Sequence, residues 1–101
     1  VSSMPADANT GTDYYCYMVR CANGAFYTGW TTDPLRRLTE HNAGRGARYT
    51  RMHGPVELVY VEVVADHSTA LIREAEIKKF RHARKADLAE VNPLPEEFHK
   101  K

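Results

Sequence analysis

Tyr14-Tyr15-Cys16-Tyr17-Met18-Val19-Arg20-Cys21 and Ala25-Phe26-Tyr27-Thr28-Gly29-Trp30-Thr31, separated by Ala22-Asn23-Gly24, decide how this chain folds. Both runs are aromatic and β-branched, and the Asn-Gly pair between them signals a β-hairpin. Loop length then settles which side chains share a face, because a slip of one residue sends every side chain to the other side. A two-residue turn at Asn23-Gly24 pairs Cys21 with Phe26 and puts Tyr17 and Tyr27 on opposite faces. A three-residue loop, Ala22 to Gly24 with Gly24 left-handed, pairs Cys21 with Ala25 instead. Tyr27 then faces Val19, Tyr17 faces Gly29, and both phenols lie on one side. A shared site requires this second register. It also accounts for a glycine in mid-strand: with no side chain opposite Tyr17, a ring or a phosphate can approach the backbone. The competing use of two strand tyrosines is plain core packing.

Outward from the hairpin, Asp33 and Pro34 read as N-cap and first residue of a helix that runs to about Asn42. Gly44-Arg45-Gly46 ends it and opens a basic loop to Gly54-Pro55. Val56 to Val64 is a third strand, with Val56, Leu58, Tyr60 and Glu62 alternating against Glu57, Val59, Val61 and Val63. Both faces are largely apolar, which predicts a central strand covered on both sides. Asp66 or Ser68 caps a second helix to about Phe80, and a third helix, His82 to Val91, stops before Pro93. Residues 1–12 read as a disordered leader and 92–101 as a flexible tail, leaving one domain over 13–91. The expected fold is α+β, a small three-stranded, mostly antiparallel sheet in β-β-α-β-α-α order, flanked by helices.

The 101 residues suit one domain with one modest core. Lys and Arg number 14 against 13 Asp and Glu, so net charge alone announces no nucleic-acid binder. Distribution says more: Arg36, Arg37, Arg45, Arg48 and Arg51 are opposed only by Glu40, and Lys78, Lys79, Arg81, Arg84 and Lys85 by no acid. A locally basic face follows, although either run could also be solvated helix surface. Cys16 and Cys21 on one strand stand roughly 16 Å apart, too far for a disulfide. With no apolar signal region and no run of membrane-spanning length, a cytoplasmic protein is expected, by default a monomer.

Arg37 and His41 lie four apart on one helix face, flanking a core side supplied by Leu35 and Leu38. Glu74 has Ala70, Leu71 and Ile77 as helical neighbours, and a carboxylate in such a stripe needs a partner. Lys78 and a divalent cation serve equally well. A single carboxylate suits Mg²⁺, which keeps most of its waters and borrows substrate oxygens. Two phenols, a guanidinium, an imidazole and one carboxylate are the parts of a metal-assisted phosphodiesterase. No zinc spacing and no phosphate-binding glycine loop compete with that reading.

In order and spacing these clusters resemble the GIY-YIG nuclease domain, and especially its small single-domain bacterial members of the YhbQ type. Tyr15-Cys16-Tyr17 stands for Gly-Ile-Tyr and Tyr27-Thr28-Gly29 for Tyr-Ile-Gly. Thr31 to Leu38 carries Arg37 at the arginine position. Glu40-His41-Asn42-Ala43-Gly44, Tyr49-Thr50-Arg51 and Ala70-Leu71-Ile72-Arg73-Glu74 follow. The first motif lacks its glycine and aliphatic residue, and Trp30 stands where excision-repair relatives have lysine. The resemblance implies an endonuclease acting on nucleic acid, DNA first, in repair or processing, with one Mg²⁺ or Mn²⁺ at Glu74. It further implies Arg37 at the phosphate and Tyr17 as base with Tyr27 as its partner. His41 is the candidate helper for the base. Arg45, Arg48 and Arg51 would contact backbone phosphates and Tyr49 would stack on a base. The alternative is a nucleic-acid-binding module with little or no turnover.

Overall fold

The hairpin adopts the three-residue loop. In the computed structural model, which describes residues 13–98, β1 (Tyr14–Arg20) and β2 (Phe26–Thr31) are antiparallel. Tyr17 lies opposite Gly29 and Val19 opposite Tyr27. Gly24 has φ +88°, and the Cys21 N–H donates to the Ala25 carbonyl at 2.8 Å. Both tyrosines therefore share a face. The leader expected over residues 1–12 lies outside the described residues.

β3 (Glu57–Val64) pairs with the other edge of β1, giving the order β2-β1-β3, antiparallel throughout. The strand expected at the centre is thus an edge strand, and β1 is central. Its two apolar faces have another cause. The register shifts between Met18, which faces Tyr60, and Val19, which faces Leu58, so Val59 is a bulge. The bulge breaks the simple alternation: Leu58 packs with Tyr17 and Val19 on one face, Tyr60 with Cys16 and Met18 on the other.

Helices cover both faces. α1 (Pro34–Asn42) is capped by Asp33, whose side chain accepts from the Arg36 N–H at 3.2 Å. It closes in a Schellman motif: Gly44 is left-handed at φ +82°, and the Gly44 and Arg45 amides donate to the His41 and Glu40 carbonyls. Asn42 then clamps the start of β3, donating to the Val56 carbonyl at 3.0 Å and accepting from its N–H at 2.7 Å. The expected basic loop contains a short helix, α2 (Arg48–Met52), buried through Thr50. α3 (His67–Lys78, capped by Asp66) and α4 (His82–Val91) cover the second face, Ile77, Phe80 and Leu88 packing with Cys16, Met18 and Tyr60. The element order is β-β-α-α-β-α-α.

The tail is anchored as far as it is described. Glu96–Phe98 form a 3₁₀ turn, and Phe98, 8 % exposed, joins the cluster of Tyr17, Val19 and Leu58, edge-on to Tyr15 at 5.8 Å. One aromatic ring with an apolar slot under the sheet suffices to hold a segment whose polar composition reads as loose. Phe98→Ala should lower unfolding free energy by about 3 kcal/mol in urea titration, whereas a loose tail would cost almost nothing.

Candidate active site

The site is built on the Tyr17 hydroxyl. β1 buries Tyr17 to 2 % exposure, and the hydroxyl end of its ring lies against Gly29 of β2. A Cβ at Gly29 would sit 2.7 Å from Tyr17 Oη and 2.9 Å from Cζ, so only glycine lets the ring lie there. The last turn of α1 brings His41, also 2 % exposed, to the same oxygen: Nε2 is 2.8 Å from Tyr17 Oη. Leu35, expected in the core, is 39 % exposed, and His41, expected on the helix flank, is buried in its place.

The tautomer follows from the next bonds. Thr50, fully buried, donates its hydroxyl proton to the Ala47 carbonyl at 2.9 Å. Thr50 Oγ1 is then left to accept from His41 Nδ1, 2.7 Å away. Nδ1 carries the hydrogen, and Nε2 offers its lone pair to the Tyr17 O–H. Gly46 seals this chain, since a Cβ there would collide with His41 Nδ1 and lie 2.8 Å from its Cα. Thr50 and Gly46 are the residues that sequence reasoning passes over. Thr50 sits between the two exposed residues that attract attention, Tyr49 and Arg51, and its burial depends on where α2 docks.

Electrostatics oppose an ionised phenol. Burial pushes Tyr17 up to about 12, and although the Arg37 guanidinium pulls it back by hydrogen bonding and charge, desolvation dominates. Burial, and then the Arg37 charge, lower the pKa of His41 and favour neutral imidazole. Arg37 and His41, read as stacked on one helix face, thus converge on one oxygen. Arg37 also pairs with Glu40 at 3.0 Å, which holds the Glu40 carboxyl below its ordinary value. Tyr27 adds an edge contact, its ring centroid 5.4 Å from that of His41.

Glu74 stands on α3, and its charge disfavours ionisation of both Tyr17 and Cys16. Its side chain is 18 % exposed and pairs with Lys78 at 3.1 Å; Lys78 is itself half exposed. Among the described residues no three His, Cys, Asp or Glu side chains gather into a metal cage. The donor set is one hard carboxylate oxygen pair held by an exchangeable ammonium, which fits an ion that retains water and takes substrate oxygens. Arg45, Arg48 and Arg51 are exposed on the α1–α2 connection and on α2; none forms a salt bridge among the described residues, although the charge of Arg45 acts on Glu40. Tyr49 is 41 % exposed, packs on His53 at 4.4 Å and accepts from Asn23 Nδ2 at 3.2 Å.

Comparison with known proteins fits this geometry. The GIY-YIG catalytic domain matches residues 13–87. A UPF0213 protein of Haloquadratum walsbyi is 51 % identical over 77 residues, covering 76 % of this chain and 86 % of that one. One from Syntrophus aciditrophicus is 46 % identical over 80 residues, 78 % of this chain and 92 % of that one. The solution NMR structure of the UPF0213 protein BH0048 from Bacillus halodurans superposes with a TM-score of 0.52 at 36 % identity, covering 84 % of this chain and 90 % of that one. The solution NMR structure of EF2693 from E. faecalis gives 0.53 at 41 % identity, over 78 % and 84 %.

Because the folded chain holds His41 neutral while the unfolded chain returns it to about 6.5, unfolding takes up a proton near that pH. The stability due to His41 is complete above about 6.5 and is lost as pH falls through that value toward the lower folded pKa. The melting temperature should therefore fall more steeply between roughly pH 7 and pH 5 in the wild type than in His41→Gln; parallel slopes would contradict a buried neutral imidazole.

Proposed function

This chain belongs to the GIY-YIG family, and from that membership we propose that it is a metal-dependent endonuclease hydrolysing phosphodiester bonds of nucleic acid, DNA in the first instance, in repair or processing. The observation that carries the reading is the convergence of Arg37 and neutral His41 on the Tyr17 hydroxyl, with Glu74 close by.

Arg37 exchanges Glu40 for two oxygens of the scissile phosphate, to which its planar fork is matched, and stabilises the charge that builds there. Tyr17 orients the attacking water. Since burial keeps the phenol protonated, Tyr17 passes its own proton to His41 Nε2 as it takes one from water. The imidazole is then the base and the phenol its conduit. Thr50 holds the tautomer that leaves Nε2 free, and Tyr27 packs the ring in place. Glu74, released from Lys78, would hold one Mg²⁺ or Mn²⁺, which supplies Lewis-acid stabilisation of the phosphate and leaving oxygens. Arg45, Arg48 and Arg51 bind backbone phosphates, and Tyr49 stacks on a base. No described helix is long and apolar enough to cross a membrane. Both cysteines are free and buried, in keeping with a reducing cytoplasm.

End-labelled single-stranded, duplex and branched DNA should be cut with Mg²⁺ or Mn²⁺ and not in EDTA. Glu74→Ala, Arg37→Ala and Tyr17→Phe should each reduce the rate by about 10²-fold or more. The rate should fall on the acid side as His41 protonates, at a pH below about 6.5. DNA retained at low salt, uncut on every substrate and indifferent to Glu74→Ala, would replace the nuclease with a binding module.

A further inference from the structure

On the opposite face of β2 from the Tyr17 ring, three aromatic side chains meet that belong to neither core cluster. The Trp30 ring lies 4.6 Å from His67 and 6.1 Å from Tyr14, and Tyr14 lies 5.9 Å from His67. Their planes are tilted by 37° to 58° rather than stacked, so the rings do not cover one another's faces. Tyr14 and Trp30 are half-buried and His67 is exposed. An interior use would have buried them.

The cluster shares α3 with Glu74 and the edge strand β2 with Gly29. Trp30 follows Gly29, over which the Tyr17 hydroxyl lies, and pairs across the sheet with Cys16, which feels the charge of Glu74. His67 opens α3, and Glu74 follows it by seven positions, two turns and about 10 Å along the same helix face. Asp66, which precedes His67, accepts the Thr69 N–H as the cap of α3, and Asp13, which precedes Tyr14, accepts from the Tyr15 hydroxyl.

We propose that Tyr14, Trp30 and His67 form a stacking subsite for one unpaired nucleobase of the strand whose phosphate occupies the Tyr17–Arg37–Glu74 site. The proposal rests on the nuclease reading and narrows its substrate class. A base within a duplex has both faces covered by its neighbours, so the subsite selects single-stranded, flapped or frayed nucleic acid at the point of cleavage.

Trp30 is the chain's one tryptophan, so tryptophan emission, excited beyond tyrosine absorption, reports this subsite alone. The full chain in EDTA would be titrated with fluorescein-labelled oligothymidylate, oligouridylate, a blunt duplex and an abasic phosphodiester of equal length, with binding followed by anisotropy. The single strands should quench Trp30, while the abasic strand and the duplex should bind without quenching. Trp30→Leu should weaken single-strand binding about tenfold or more, and Trp30→Phe should restore most of it. Binding with unaltered Trp30 emission for every ligand, alongside metal-dependent cleavage, would overturn the subsite and leave the nuclease standing. No binding of any oligonucleotide at low salt would overturn both. The wild-type titration decides the matter even where Trp30→Leu does not fold.

Discussion

The hydrogen bond from the Tyr17 hydroxyl to His41 Nε2 is the interaction around which this small fold is arranged. Two polar groups, each 2 % exposed, are placed where losing a partner costs about 1–3 kcal/mol per group. The surrounding sequence meets that demand at every level. The three-residue hairpin loop puts Gly29 rather than a side chain beneath the Tyr17 ring. The Schellman closure of α1 turns the chain just after His41, and Gly46 lets the connection press against the imidazole. α2 exists largely to deliver Thr50 to Nδ1. Asn42 then fixes α1 to β3.

The same enclosure sets the chemistry. A tyrosine with an ordinary pKa near 10 is already a weak base, and burial pushes Tyr17 further, to about 12. The expectation that nearby cations make it a phenolate gives way to the larger effect of desolvation. In the proposed mechanism neutral His41 takes the base's part, since burial that hinders a phenolate also favours an uncharged imidazole with a free lone pair. Glu74 is partly exposed and its Lys78 partner is a surface ammonium, an ion pair weak enough to exchange for the cation of the proposed mechanism.

Local chemistry was the legible part. The Asp33 cap, the stop of α1 at Gly44 and α4 follow from turn and cap preferences that act over a few residues, and the same preferences narrowed the hairpin to two registers and the α3 cap to Asp66 or Ser68. Tyr17, Arg37 and His41 were picked out by their order and spacing and by the resemblance these carry, whereas helix spacing alone put His41 on the flank rather than in the interior. What stayed hidden depends on distant partners. The Val59 bulge mimics a doubly buried central strand, Phe98 finds its slot only once the sheet exists, and His41 displaces Leu35 from the interior because Tyr17 and Thr50 wait for it. Thr50 lies within a stretch that carries the resemblance, but nothing local marks its hydroxyl as the partner of His41.

The most direct test of this arrangement is the protonation state of His41 itself, read from long-range proton–nitrogen correlation in ¹⁵N-labelled protein at neutral pH. The hydrogen-bond chain predicts a neutral ring with the proton on Nδ1 and an unprotonated Nε2. A proton on Nε2, or an imidazolium with both nitrogens protonated, would mean that Tyr17 does not donate to His41, and the proposed base would be lost with it.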